Sequence, residues 1–315
     1  MHATDDREIQ VGPVTPDQLM LAMELLYAHL PERARRRQIA QTRRDFERNR
    51  VDPGGLLGAR RERRLVGVLL VVEQPGGTAM LWPPSICQSG AEGDRVANAL
   101  LQSAATRFAE RGCRHLQALL DPSDRTGAQC LTRNRFVPVA ELLYLERGLS
   151  DVPSSGATAL RLASYSREGH AQFEEVVERT YEGSLDAPQL NGTRPTNEVL
   201  AGHQAVGAFD PGRWLLAYEA NSPVGCLLMS DHAELAAWEI VYLGVVPSAR
   251  GRGLGRELTL EALRRAQAHG ARRVLVAVDQ NNHPACKVYA DLGFRPSDRR
   301  IAFLRFIADE AADLN

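Results

Sequence analysis

Three segments of the N-terminal half recur in the same order in the C-terminal half, and this repeat constrains the fold more than any other feature. LVGVLLVV resembles PVGCLLMS, GDRVANALLQSAATRFAERG resembles GRELTLEALRRAQAHG, and LTRNRFVP resembles YADLGFRP. Residues 148–158, GLSDVPSSGAT, lack apolar periodicity, as a linker between folded units does. We therefore predict one domain over residues 1–149, a linker over 150–159 and a second domain of similar fold over 160–315.

The order of predicted elements is the second constraint. Apolar periodicity and glycine punctuation predict helices that alternate with strands in both halves, which indicates an α/β fold built on a mixed (α+β) sheet. In the N-terminal half the predicted helices are 16–30 and 96–111, and the predicted strands are 65–72 and 142–145. In the C-terminal half the helices are 170–180, 254–269 and 284–292, and the strands are 214–219, 224–229, 238–246, 274–278 and 301–306.

Composition and charge exclude several classes of protein. The chain has 38 Lys plus Arg against 39 Asp plus Glu, so no global attraction to a polyanion is expected. Arginines cluster at residues 33–64, but interleaved acids favour a solvated helix face over a nucleic-acid site. The five cysteines form no CxxC pair and no metal-binding pattern, which favours a reduced, cytoplasmic setting without a metal. With no secretory signal and no long apolar run, we expect no membrane partner. We also expect a monomer or a homodimer.

The strongest chemical signal is VVPSARGRGLG at residues 245–255, where a strand runs through a glycine-rich turn into an amphipathic helix. Glycine permits positive φ and a close approach of a ligand, so successive N–H groups and the helix N-terminus can hold a pyrophosphate. Arg250 and Arg252 would add charge-assisted contacts. The turn is neither a Walker loop nor a Rossmann fingerprint, so the surrounding sequence must supply the specificity.

That surrounding sequence resembles the GNAT acetyltransferases. The turn matches the Arg-x-x-Gly-x-Gly of their motif A, and a segment resembling motif B follows as Asn282-x-x-Ala285-x-x-x-Tyr289-x-x-x-Gly293-Phe294. Over roughly residues 160–308, the resemblance implies an acyl-CoA N-acyltransferase domain, hence two tandem GNAT domains, with acetyl-CoA (coenzyme A) as donor. The cofactor site that it implies comprises Gly244, Val245, Val246, Arg250, Gly251, Arg252, Gly253, Leu254, Gly255, Asn282 and Tyr289.

The same resemblance implies two catalytic side chains. Tyr289 would lie near the sulfur, and a phenol with an ordinary pKa near ~10 can donate a proton to a departing thiolate at neutral pH. Glu239, on the strand before the turn, is the predicted base that removes a proton from the acceptor ammonium, directly or through water. The alternatives are a packing role for Tyr289 and a solvated strand position for Glu239. A backbone N–H near Val245 would polarise the thioester carbonyl, and Cys286 is interpreted as a packed helix residue, so we expect direct transfer without a covalent intermediate.

The acceptor site is less constrained. Residues 181–203 are polar and rich in turns, and they lie where GNAT folds place the loops that wall the acceptor site. We predict the primary amine of a small molecule as acceptor; the alternatives are a protein or peptide N-acetyltransferase and a noncatalytic CoA-sensing or nucleic-acid-binding module. The predicted acceptor contacts, each weighed against an ordinary loop residue, are Tyr181, Asp186, Arg194, His203 and Tyr242.

The N-terminal half departs from these motifs. GAEGDR at residues 90–95 lacks the leading Arg, carries acids and ends in Arg95 where the motif has Gly, and Asn134-Arg135-Phe136 replaces Leu-Gly-Phe. Because acids repel a pyrophosphate, we predict a degenerate GNAT-like domain that has lost CoA binding. A degenerate first half before an intact second half resembles the mycothiol synthase-like family of tandem GNAT proteins, which also shares the spacing from Glu239 to Pro247.

Overall fold

Two strands carry the chain between its two folding units. The computed structural model describes residues 8–153 and 160–307. One unit comprises Met1–Pro138 and Ala302–Asn315, and the other comprises Val139–Ile301, so the divisions fall inside strands β6 (Val137–Gly148) and β12 (Arg295–Phe306). Of the predicted linker at 150–159, residues 150–153 lie within the second unit, and residues 154–159 are outside the described part. Composition does not reveal this arrangement, because it depends on strand pairing between residues far apart in sequence.

The first unit is a sheet with flanking helices. Its elements are β1 (Gln10–Pro13), α1 (Leu19–Leu26), α2 (Glu32–Glu47), β2 (Leu56–Arg61), β3 (Arg64–Gln74), β4 (Thr78–Ile86), α3 (Gly90–Glu110), β5 (His115–Leu120) and α4 (Arg125–Arg133). The strands lie in the order β1-β2-β3-β4-β5, followed by the end of β12. β1 to β4 pair in antiparallel register, whereas β4 and β5 are parallel.

The second unit has the same plan. Its further elements are β7 (Arg161–Ser164), α5 (His170–Tyr181), α6 (Thr196–Gln204), β8 (Trp214–Glu219), β9 (Ser222–His232), β10 (Ala237–Val245), α7 (Leu254–Ala268), β11 (Arg273–Asp279) and α8 (His283–Asp291). The start of β12 is followed in the sheet by β6-β11-β10-β9-β8-β7. β10 and β11 are parallel, and β6–β11, β9–β10, β8–β9 and β7–β8 are antiparallel. The predicted mixed α/β fold is confirmed.

The sequence repeat is also a structural repeat with a nearly constant spacing. β8, β9, α8 and β12 each begin 158 residues after β2, β3, α4 and β6, as 214 follows 56 and 295 follows 137. Each pair also has the same length in both units. Positions within these paired elements can therefore be compared residue by residue.

Helix α7 illustrates how local sequence positions the site. Leu258, Ala262 and Ala266 recur every four residues and are fully buried, which places them on one face of the helix. Gly253 (φ +84°) precedes the helix and Gly270 (φ +79°) follows it, in a backbone region that favours glycine. Since one buried leucine contributes ~1.5–3 kcal/mol, this apolar face fixes the start of α7 against the sheet.

The predicted elements of the C-terminal half are confirmed within a few residues, whereas those of the N-terminal half differ more. Residues 16–30 form a 3₁₀ turn at Pro16–Gln18 and then the short helix α1. α3 begins at Gly90, ahead of the predicted start at residue 96, and Glu92 lies in its first turn, where an acid complements the helix dipole. The short strand predicted at 142–145 is part of the longer strand β6, and the one predicted at 301–306 is part of β12.

The helices can be compared with what a nucleic-acid site or a membrane span would require. In and beside α2, Arg36 pairs with Glu32, and Arg50 pairs with Asp45 at 2.7 Å, as expected of a solvated helix face. Among the helices within residues 8–153 and 160–307, none combines the length and the hydrophobicity needed to cross a membrane.

Candidate active site

Two neighbouring parallel strands of the second unit separate and leave a cavity between them. β10 and β11 pair from Ala237↔Arg273 to Ile240↔Val276, and both strands continue beyond that point. β10 also has a bulge between Ile240 and Tyr242 in its pairing with β9. A cavity of about 510 Å³ is lined by these strands, by the glycine-rich turn and by α8. Residues 241–245 lie beyond the last β10–β11 pair. Their backbone groups on that side can therefore pair with an extended ligand.

The glycine-rich turn closes one end of this cavity. Gly251 (φ +74°) and Gly253 (φ +84°) both adopt a conformation that side chains disfavour, and both line the cavity. A β carbon built on Gly251, Gly253 or Gly255 would meet nothing within 4 Å, so these positions face open space. The first turn of α7 leaves backbone N–H groups without an intrahelical acceptor, and the helix dipole favours an anion beside them. The turn therefore fits a phosphate group.

The two arginines of the turn are engaged by the protein itself. Arg252 forms a two-bond ion pair with Glu219, at 2.8 and 2.9 Å. Arg250 donates to four backbone carbonyls, those of Glu182 (2.7 Å), Thr180 (2.8 Å), Val245 (3.0 Å) and Gly183 (3.2 Å). Arg250 thus ties the turn to the end of α5, and its direct contact with a phosphate stays a prediction.

Tyr289 and Asn282 lie on α8 at the wall of the cavity. The Tyr289 ring is buried and packs against Phe294 at 5.3 Å between ring centroids. Burial, with the nearby Asp186 carboxyl, raises the pKa of the Tyr289 phenol above its ordinary value, so the phenol keeps its proton at neutral pH. Asn282 Oδ1 accepts the Ala285 N–H at 3.3 Å and caps α8. Both residues line the cavity.

Glu239 lies on β10 next to Ile240, which lines the cavity, whereas Glu239 itself is not among the lining residues. Its carboxylate oxygen Oε2 is 2.7 Å from Nε2 of His232, the last residue of β9. Both side chains are partly exposed, at 27% for Glu239 and 24% for His232. Sequence reasoning missed His232; its signal was the β9–β10 hairpin, which brings residues seven apart into contact.

Three of the predicted acceptor residues form one aromatic cluster. The Tyr242 ring lies 5.6 Å from that of Tyr181 and stacks on His203 at 5.5 Å between centroids. The Tyr242 hydroxyl is 2.7 Å from Thr180 Oγ1, and burial raises the pKa of both tyrosines. Burial and the charge of Arg194 lower the pKa of His203 to about 4, so its imidazole is neutral at pH 7. The cluster is an uncharged wall beside β10.

Asp186 lies on the cavity wall, separately from that cluster. Its Oδ1 accepts the Asp279 N–H at 3.0 Å, and its carboxyl also interacts with the Asn282 side chain. Burial, and then the neighbouring Asp279 carboxylate, raise the pKa of Asp186. Arg194 is partly buried, and burial lowers its pKa. Asp186 therefore joins the loop after α5 to the end of β11.

Cys286 lies in the first half of α8, and its position bears on the covalent alternative. Its Sγ contacts the carbonyl oxygen of Asp279 at 3.7 Å. Burial and the nearby acids raise the pKa of this thiol, which disfavours the reactive thiolate. A packing role for Cys286 agrees with this environment.

Comparison with known proteins identifies the family. Residues 178–294 match the Acetyltransferase (GNAT) family. A mycothiol acetyltransferase of Arthrobacter sp. (strain FB24) is 28% identical over 250 residues, which cover 76% of this chain and 74% of that protein. A mycothiol acetyltransferase of Gordonia bronchialis is 34% identical over 189 residues, 54% of this chain and 57% of that protein. Residues 178–294, within the second unit, therefore form a GNAT acetyltransferase domain.

Solved structures extend the GNAT likeness to the whole fold. A GCN5-related N-acetyltransferase from Sphaerobacter thermophilus matches with a TM-score of 0.59 at 17% identity, covering 97% of both chains. A tandem GNAT protein from the clavulanic acid biosynthesis pathway matches with a TM-score of 0.52 at 18% identity, covering 95% of this chain and 99% of that one. The tandem GNAT fold predicted from the sequence is confirmed.

The first unit keeps the strand separation but alters the turn. β4 and β5 pair in parallel from Thr78↔His115 to Met80↔Gln117, while β4 continues to Ile86. The turn that follows β4, residues 90–95 (GAEGDR), carries Glu92 and Asp94 and has no arginine at its start.

The altered turn also differs in its charge pairing and in the space around Gly93. Glu92 pairs with Arg61 and with Arg95, and a β carbon on Gly93 would lie 2.6 Å from the carbonyl oxygen of Gln88. Segment 90–95 is the first turn of α3 rather than a separate loop. Its acids and its close backbone contact disfavour a phosphate.

Proposed function

We propose that the second unit transfers an acetyl group from acetyl-CoA directly to the primary amine of a small molecule. GNAT enzymes use an acyl-CoA donor, and the observation that carries the proposal is the cavity between β10 and β11. The glycine-rich turn, the part of β10 that is not paired with β11, and Tyr289 all line this cavity. Its volume of about 510 Å³ lies in the usual range for ligand sites.

The residues present fit a CoA donor along its length. Residues 241–245 offer backbone groups to the amide-containing arm, as an added strand would require. The turn at 250–255 offers N–H groups and open space to the pyrophosphate. Asn282 and Tyr289 line the wall along which the arm would run.

Two side chains handle protons in this proposal. When bound, acetyl-CoA supplies a thioester that an amine can attack. Glu239 accepts a proton from the acceptor ammonium, directly or through water, since the ammonium has no lone pair for the attack. Tyr289 gives its phenolic proton to the departing thiolate, since a phenol is protonated at neutral pH. Each side chain therefore carries one of the two proton transfers.

The acceptor side of the proposal is supported by the aromatic cluster beside β10. Tyr181, Tyr242 and His203 present aromatic rings there, and the neutral imidazole adds no charge that would repel a cation. The matched relatives are named mycothiol acetyltransferases, which supports a small-molecule acceptor. In the first unit, Glu92 and Asp94 oppose donor binding, so we propose one working site per chain.

Turnover tests this function directly. Wild-type protein is incubated with acetyl-CoA and a panel of amino sugars, amino-acid amides and polyamines, and mass spectrometry detects acetylated amine together with free CoA. We expect a product with wild type, and Glu239→Gln to lower its rate by about 100-fold or more, because general base catalysis typically contributes ~10²–10⁴-fold. The control is Glu234→Gln, an exposed glutamate in the turn of the same hairpin, which should retain the wild-type rate. Formation of a stable acetyl-protein, or an unchanged rate in Glu239→Gln, would refute direct base-assisted transfer.

A further inference from the structure

The hydrogen bond between His232 and Glu239 has a defined direction. Nε2 of His232 lies 2.7 Å from Oε2 of Glu239. An ionised carboxylate can only accept hydrogen bonds, so the imidazole is the donor at Nε2. This holds for the neutral Nε2–H tautomer and for the imidazolium alike. One oxygen of the carboxylate is thus held, and the other is left to meet a second donor.

The hairpin that carries this pair does not need it in order to form. In the second unit His232 is paired with Ala237, and Glu239 with Ser230. In the corresponding β3–β4 hairpin, Gln74 is paired with Thr78 and Met80 with Val72. Gln74 and Met80 therefore take the places of His232 and Glu239, and the hairpin forms with an apolar residue at the second place. The pair accompanies the open glycine-rich turn and is missing beside the altered one.

The surroundings of Glu239 contain few other groups that could orient its carboxylate. Its register neighbours are Ser230 on β9 and Leu275 on β11. Ser230 Oγ donates instead to the carbonyl oxygen of Val206, and Leu275 is apolar. The Tyr144 phenol on β6 also lies within electrostatic reach, since the charge of Glu239 helps to raise its pKa. The hydrogen bond from His232 is therefore the contact that can orient the Glu239 carboxylate.

We propose that His232 is a positioning residue for the reaction, holding Oε2 of Glu239 so that Oε1 is presented to the acceptor ammonium. This inference rests on the proposed function, in which Glu239 is the base. In the step that follows, one N–H bond of the ammonium breaks and one O–H bond forms at Oε1, while His232 keeps its own proton at Nε2. A carboxylate held in one orientation avoids the loss of rate that misplacement by ~1 Å causes, which reaches about 100-fold.

The first measurement is spectroscopic and does not require turnover. In full-length protein labelled with ¹⁵N-histidine, we expect the His232 ring to show a protonated Nε2 with a deshielded proton. Glu239→Met, which introduces the residue found in the first unit, should remove that deshielding. Glu234→Gln should leave the His232 signal unchanged. A His232 ring protonated only at Nδ1, or one insensitive to Glu239→Met, would overturn the assignment.

The second measurement separates positioning from stability. For His232→Ala we expect kcat to fall about 10- to 100-fold with acetyl-CoA and the best amine of the panel, at KM values within about twofold of wild type. His232→Gln, whose amide can donate in place of Nε2, should recover most of kcat, and added imidazole should partly rescue His232→Ala. Equal loss in both variants, an unchanged kcat in His232→Ala, or losses that follow the thermal midpoint would overturn the proposal. If no amine is acetylated by wild type, the proposed function fails, while the spectra still decide whether His232 donates to Glu239.

Discussion

Nη2 of Arg250 lies 2.8 Å from the carbonyl oxygen of Thr180, so the glycine-rich turn holds the last residues of α5. The same guanidinium donates to Glu182 and Gly183, which begin the loop leading to Asp186. A helix C-terminus leaves carbonyl groups without partners, and a planar guanidinium with five donors can satisfy several of them. The donor turn and the proposed acceptor loop are therefore joined by one side chain.

Replacing Arg250 should loosen that junction. In Arg250→Ala the carbonyl groups of Thr180, Glu182 and Gly183 lose their donor, and we expect the free energy of unfolding to fall by about 1–3 kcal/mol. Amide hydrogen exchange of residues 180–187 should become faster. Arg252→Ala is the matched control: it removes a surface ion pair with Glu219 and should cost less than about 1 kcal/mol. Unaltered exchange in Arg250→Ala would show that the four carbonyl contacts do not order the loop.

Removal of the Tyr289 hydroxyl should affect chemistry more than binding. We expect Tyr289→Phe to lower kcat about 10- to 100-fold and to leave acetyl-CoA affinity within about threefold, because the ring still fills its buried place against Phe294. Steady-state kinetics with calorimetry checks both. An unchanged kcat would return Tyr289 to the packing role considered from the sequence.

Tyr289 should also make the stability of the fold depend on pH in the alkaline range. Its folded-state pKa is raised by burial, so the folded protein retains a proton that the unfolded chain releases above pH ~10. This stability is present below pH ~10 and is lost as the pH rises further. The free energy of unfolding, measured with denaturant between pH 8 and 11, should fall less steeply for Tyr289→Phe than for wild type. Parallel profiles for the two proteins would contradict a buried phenol.

The acid side of the stability profile should depend on His203. Burial lowers its pKa to about 4, so below pH ~6.5 the unfolded chain takes up a proton that the folded protein does not bind. We expect up to about 3 kcal/mol of stability to be lost from this group between pH 7 and pH 4. Asp186, whose raised pKa favours the protonated form, acts in the opposite direction.

The matched variant for this prediction is His203→Phe. It keeps an aromatic ring stacked on Tyr242 but has no group that titrates. Urea unfolding at pH 7 and at pH 4.5 should show a smaller loss for His203→Phe than for wild type. An equal loss in both proteins would mean that His203 is already charged in the folded state.

Local signals explain why the second unit was predicted closely. The glycines around α7, its four-residue apolar repeat and the motif of α8 each act over short stretches, so the sequence places these elements without knowledge of the remainder. The turn, Asn282 and Tyr289 follow from them and line one cavity. The helix α6 (Thr196–Gln204) was missed because it is short and its apolar face is weak; Leu200 is its one fully buried residue.

Features that depend on distant pairing were not accessible from the sequence. The chain passes from one unit to the other within β6 and again within β12. This can be recognised only when the strand order is known. The carbonyl partners of Arg250 depend on where α5 ends, and the partner of Glu239 depends on the β9–β10 register. Charge and glycine content predicted a phosphate contact for Arg250, but they do not report which groups its guanidinium already holds.

The most direct test of the account is calorimetric titration of acetyl-CoA into wild type, Gly255→Glu and Gly255→Ala. Gly255 lies within α7, has no positive φ, and an added β carbon would meet nothing within 4 Å, so neither substitution strains the fold. We predict one equivalent bound by wild type, affinity within about threefold for Gly255→Ala, and a loss of more than about 100-fold for Gly255→Glu, whose carboxylate would repel the pyrophosphate. Absence of binding to wild type, or equal binding by Gly255→Glu, would contradict a donor site at this turn, and two equivalents would contradict its loss from the first unit.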